Sequence, residues 1–104
     1  MAGRYTVRIT HFALQNLQDI FDFIQGQSPQ NAAAVVRRLL NAIDDLETMP
    51  GRFRIAGMSR KRGTKVHACT VRPFIIYFRV DSTERVAMIL EVRHGARKQP
   101  RHFE

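Results

Sequence analysis

The sequence predicts an α+β domain in the order β-α-α-β-β-β: an N-terminal strand, an antiparallel helical hairpin, and a four-stranded, mainly antiparallel sheet that the hairpin covers. Three observations carry this. Residues 4–9 alternate polar and apolar side chains. Two stretches, residues 11–25 and 29–48, repeat apolar residues at helical spacing with only a brief link between them. Three apolar or alternating runs then follow between 66 and 92, separated by turn signals.

In the first strand Tyr5, Val7 and Ile9 are expected to face the core, and Arg4, Thr6 and Arg8 the solvent. Thr10 stands where it can cap a helix. In that helix Ala13, Leu17, Ile20 and Ile24 form one stripe with Phe21 beside it, and Asp19, Asp22 and Gln25 take the other side. Gly26 closes it. Ser28-Pro29 opens the second helix, with serine as N-cap and proline at the first helical position. Its stripe is Ala32, Val36, Leu39, Ile43 and Leu46, and Met49-Pro50-Gly51 ends it. So short a link implies an antiparallel pair of helices. Their facing stripes are aliphatic, so no metal or cofactor is expected between them.

Residues 51–65 are basic, with Arg52, Arg54, Arg60, Lys61, Arg62 and Lys65, no acid, and glycines at 51, 57 and 63. They read as a long basic loop holding a short strand near 53–55; a loop of this length in a small domain usually has a task. Strands follow at 66–71, 74–80 and 86–92, with turns at Arg72-Pro73 and Asp81-Ser82-Thr83. Short links make consecutive strands antiparallel. The first strand must join this sheet to hide its apolar face, beside a neighbour the sequence does not specify. The run Val86–Leu90 suits a strand buried on both faces, and it ends in Arg93, His94, Arg97 and Lys98, with Gly95 permitting a sharp turn through positive φ. A buried strand that delivers cations to a surface builds a site on a rigid element.

The 104 residues, 44% hydrophobic and 25% charged, suit one domain spanning 1–104. A single cysteine, Cys69, excludes an internal disulfide and fits a reducing compartment. No signal peptide or membrane span is apparent, so a cytoplasmic protein without membrane contact is expected. The net charge is +8, and it is one-sided: residues 1–50 hold four basic and five acidic side chains, residues 51–104 thirteen and four. Such a field favours an anionic partner: nucleic acid, an acidic protein segment, or a nucleic-acid machine.

In order and punctuation the chain resembles the RelE/ParE superfamily of toxins from type II toxin–antitoxin systems. The likeness rests on Tyr5-Thr6-Val7-Arg8-Ile9-Thr10 before an Ala13-x-x-x-Leu17-x-x-Ile20 helix, on Ser28-Pro29 before an alanine-rich helix ending Ala42-Ile43-x-x-Leu46-x-x-x-Pro50-Gly51, on Phe74-Ile75-Ile76-Tyr77, and on the closing Val92-Arg93-His94-Gly95-Ala96-Arg97. The His-Gly-x-Arg ending is closer to the ParE branch. The resemblance implies a toxin that inhibits DNA gyrase, a role in plasmid stabilisation, and neutralisation by a cognate ParD-like antitoxin in a hetero-oligomer. DNA would be contacted only indirectly, through that antitoxin. The RelE branch instead implies a ribosome-dependent mRNA endoribonuclease.

The residues weigh between the two. RNA cleavage needs a base for the 2′-hydroxyl, cations for the phosphate and an acid for the leaving oxygen. RNA-cutting relatives carry a tyrosine, or a histidine with a carboxylate, in the last segment. Here residues 93–104 contain no tyrosine, and their carboxylate is the terminal Glu104. Catalysis would rest on His94 with Arg93, or on His67 if it lies nearby, whereas Tyr5 and Tyr77 sit in strands. The expected target-binding residues are therefore Arg93, His94, Arg97 and Lys98, without a catalytic residue and without cofactor. The histidines and Cys69 lack metal-ligand spacing, and no helix-turn-helix is visible. DNA binding through charge alone is the remaining alternative.

Overall fold

The computed structural model describes residues 4–59, 64–96 and 102–103, the last two as backbone. The expected α+β order is present. Strand β1 (Thr6–Ile9) leads to helix α1 (His11–Gln25) and helix α2 (Pro29–Asp44). Two 3-10 turns (Asp45–Glu47 and Pro50–Arg52) connect α2 to β2 (Arg54–Ser59), β3 (Lys65–Val71), β4 (Phe74–Asp81), β5 (Val86–His94) and the short β6 (His102–Phe103).

The caps follow from the local sequence. Thr10 is extended, and its hydroxyl accepts the Ala13 N–H at 3.1 Å. Gly26 caps α1 by donating its own N–H to Asp22, in right-handed rather than left-handed geometry. Pro29 starts α2, where the hydroxyl of Ser28 makes no capping bond and its carbonyl accepts from Asn31 and Ala32. On α2 the innermost second-turn residue is Val35, with Val36 only half-buried.

One sheet holds all strands in the order β1-β5-β4-β3-β2-β6. The β3-β4 and β4-β5 pairs are antiparallel, as expected. β1 takes the unassigned place beside β5, in parallel, with Ile9 opposite Ile89. As a short edge strand it leaves Ile9 exposed and buries Val7 and Tyr5 only in part, less than the alternation predicts. The larger difference lies in residues 54–59, expected mostly as basic loop. They form β2, antiparallel to β3, and with the short β6 paired to β2 in parallel the sheet has six strands instead of four. β3 supplies pairing partners from Lys65 to Ala68, with a register shift at Ala56, and that outweighs the poor strand propensity of Ala56-Gly57.

The main core lies between hairpin and sheet: Leu17, Leu39, Ile43 and Leu46 from the helical side, and Phe74, Ile76, Phe78 and Ile89 from the sheet, with Cys69 buried among them. A second cluster, Val66, Ala68, Tyr77 and Leu90, lies on the other face. β5 serves both, as its unbroken apolar run predicts. A bulge sets its phase. Phe78 pairs with Ile89 and Tyr77 with Glu91, so Leu90 is an extra residue. Ala87, Ile89 and then Val92 thus face the helices, while Leu90 turns to the second cluster. In an unbroken strand the alternation would have sent Arg93, not Val92, into the core.

Candidate functional site

The bulge places Arg93 on the Tyr77 face of the sheet, opposite Ile75. Its Nε donates to the Glu91 carboxylate at 2.6 Å, and both side chains are partly buried. Burial raises the Tyr77 phenol above its ordinary pKa, and the positive charges of Arg54 and Arg93 oppose that rise. Arg54, from β2, and Arg93, from β5, therefore act on the same patch of sheet.

His94 ends β5 beside Arg93 and is exposed. Its Nδ1 accepts the Ala96 N–H at 3.0 Å, and its ring meets Phe74 edge-on at 5.5 Å. Both contacts anchor the turn. Gly95 is needed there for close approach and not for positive φ: its N–H donates to the Pro73 carbonyl at 2.7 Å, and a Cβ would stand 3.2 Å from that oxygen. His67 is not brought to His94. It sits in the row of Phe78 and Ile89, whereas His94 sits in the row of Phe74 and Val71. Those rows are four residues apart, about 13 Å along the strands. His67 is buried, stacked on Phe78, and its Nδ1 bonds the Phe53 carbonyl at 2.8 Å.

Of the expected basic loop, Arg52 and Arg54 are described and do different things. Arg52 donates to the carbonyls of Thr48 and Met49 and lies over the Phe53 ring, closing the 3-10 turns. Arg54 is exposed on β2. Arg60, Lys61, Arg62, Arg97 and Lys98 lie outside the described residues. Tyr77 and Cys69 are buried, as their strand positions predict, and burial pushes the Cys69 thiol up. Among the described residues no group of three His, Cys, Asp or Glu is placed to hold a metal, and no helix is long and apolar enough to cross a membrane.

The structure adds a groove that the sequence reading missed. It has a volume of about 890 Å³ and runs between α1, α2 and the ends of β4 and β5. Ile20, Ile24, Val35, Phe74 and Val92 line it, Phe12 and Phe23 flank it, and Arg38, Arg93 and His94 stand around it. Phe12 and Phe23 are 60% and 68% exposed. The signal was present: both residues fall off the Ala13/Leu17 stripe, and three helical turns separate them on one side of α1.

Comparison with known proteins agrees with this architecture. The family described as ParE toxin of type II toxin–antitoxin system, parDE, matches residues 7–99. The protein Y4kP of Sinorhizobium fredii, a toxin by name, is 32% identical over 98 residues, which is 94% of this chain and 96% of the relative. Among solved structures, the chromosomal ParDE system of P. aeruginosa superposes with a TM-score of 0.70 at 19% identity, over 89% of this chain and 98% of that one. The archaeal RelE–RelB complex of Pyrococcus horikoshii gives 0.64 at 19% identity, over 91% and 99%. The RelBE2 toxin–antitoxin complex of Mycobacterium tuberculosis gives 0.58 at 26%, over 93% and 98%.

Proposed function

The chain belongs to the ParE toxin family of type II toxin–antitoxin systems, and on that premise we propose that it inhibits DNA gyrase by binding, without chemistry of its own. A cognate ParD-like antitoxin would hold it inactive and would supply the contact with DNA. The antitoxin reading draws on similar proteins that are themselves toxin–antitoxin complexes.

The observation that carries the choice between binding and catalysis is the setting of the proton-transfer candidates. His67 and Tyr77 are buried, and His67 is held by a backbone carbonyl. At the end of β5, His94 spends Nδ1 on the turn, and the Glu91 carboxylate, on the opposite face of the strand, is engaged by Arg93. Arg93 supplies a positive charge and His94 a ring Nε2 donor at the end of a rigid strand, which suits recognition of an acidic or phosphate-bearing surface by directed donors. The RNA-cleaving alternative requires His94 to leave its turn bond and exchange protons during the reaction.

Induced expression with two readouts tests the choice. Gyrase inhibition predicts DNA breaks and filamentous cells while transcripts stay whole. Rapid arrest of translation with cut mRNA would reverse the assignment.

A further inference from the structure

We propose that Glu91 is a positioning residue for target binding: its carboxylate holds the Arg93 guanidinium in the orientation in which the end of β5 meets the target. The proposal rests on the reading above, in which Arg93 contacts the target, and adds the residue that aims it.

The bulge in β5 builds the pair. Leu90 is the extra residue, so Leu90 and Glu91 both turn to the Tyr77 face, with Glu91 directly opposite Tyr77. Arg93 follows on the same face, opposite Ile75. Residues two apart on a strand stand about 6.6 Å from each other. That spacing lets the Glu91 carboxylate accept from Arg93 Nε at 2.6 Å. The Glu91 side chain is 14% exposed and the Arg93 side chain 28%.

Stability does not account for a carboxylate at this position. Its neighbours on the face, Tyr77 and Leu90, are buried. An apolar side chain would pack beside them without the desolvation that a partly buried ion pair costs. What the carboxylate supplies is direction. The guanidinium is a rigid planar fork, so a bond at Nε fixes its plane. A long cationic side chain otherwise samples many rotamers, and ordering it at an interface weakens binding. Held by Glu91, Arg93 meets an acidic or phosphate-bearing surface already ordered. Electrostatics alone predicts the reverse. A negative charge beside Arg93 lowers the local positive potential, and its removal would strengthen attraction to such a surface. The two roles of Glu91 therefore differ in the sign of its effect.

Titration of gyrase supercoiling with the full chain reads that sign. Glu91→Leu, which fills the space without an acceptor, is expected to require about two- to tenfold more protein than the native chain for equal inhibition. Glu91→Gln, whose amide oxygen still accepts from Nε, is expected to stay within about twofold. Proton–nitrogen NMR of the free native chain is expected to show a slowly exchanging Arg93 Nε–H, retained in Glu91→Gln and lost in Glu91→Leu. Inhibition by Glu91→Leu equal to or stronger than the native chain's overturns the proposal, and so do equal losses in the two variants. A native Nε–H that exchanges like that of an exposed arginine overturns it as well, even where Glu91→Leu does not fold. Full inhibition by Glu91→Leu beside lost inhibition in Arg93→Ala removes the positioning role alone and leaves the gyrase reading standing. A native chain that does not inhibit gyrase removes both.

Discussion

At Arg93 a charged side chain has to follow a run of core residues without entering the core. It does so by sharing Glu91 on the Tyr77 face, at 2.6 Å. If this guanidinium contacts the target, Arg93→Ala weakens toxicity, because alanine keeps neither the charge nor the directed donors. His94→Gln retains a hydrogen-bonding side chain of similar reach but cannot titrate, and is expected to stay toxic. Dose–response of growth arrest, with antitoxin binding as the check on folding, measures both. The opposite pattern, an inert His94→Gln beside a toxic Arg93→Ala, would indicate acid–base chemistry. A second residue-scale outcome concerns pH. Burial raises the Cys69 thiol above 9.0 and the Tyr77 phenol above 10.0. Well below pH 9 both are neutral in the folded and the unfolded chain and add no slope. As pH rises past the unfolded values, the unfolded chain releases protons that the fold retains, so stability falls. Urea unfolding between pH 8 and 11 is expected to show that decline, and Cys69→Ala is expected to make it shallower.

At the level of elements, β5 is organised by its bulge. Deleting Leu90 would remove the bulge yet keep the phase, because Val92 would then follow Ile89 by two positions and Arg93 would stay on the Tyr77 face. The deletion is therefore expected to cost about as much as Leu90→Ala, roughly 2–5 kcal/mol, read as the shift in denaturation midpoint; a far larger loss would mean that Leu90 is not simply the extra residue of the bulge. The helices were legible in the sequence because their signals are local: the Thr10 cap, Pro29 at the first turn, and aliphatic stripes at steps of three and four. β3, β4 and β5 were legible because apolar runs alternate with turn residues. β2 was not. Its arginines, Gly57 and weak alternation read as loop, and its strand state depends on β3, a partner distant in sequence. The groove escaped for a similar reason: Phe12 and Phe23 show their significance only once α1 is laid beside the end of β5.

For the whole molecule, the family match places the chain among the ParE toxins, and the fold leaves the target open, since both ParDE and RelBE structures superpose on it. The candidate residues at the end of β5 were legible as a cationic cluster, but their roles depended on contacts that no spacing reveals, such as the Ala96–His94 bond that ties the imidazole to its turn. The one-sided charge, net −1 over residues 1–50 and +9 over residues 51–104, is expected to make target association fall with ionic strength. The most direct measurement mixes the purified chain with gyrase, ATP and relaxed plasmid DNA, and follows supercoiling and the accumulation of cleaved DNA. Gyrase inhibition without catalysis predicts lost supercoiling and stabilised cleaved complexes that His94→Gln still produces and Arg93→Ala does not. Unimpaired supercoiling, together with cleavage of mRNA on added ribosomes, would contradict it.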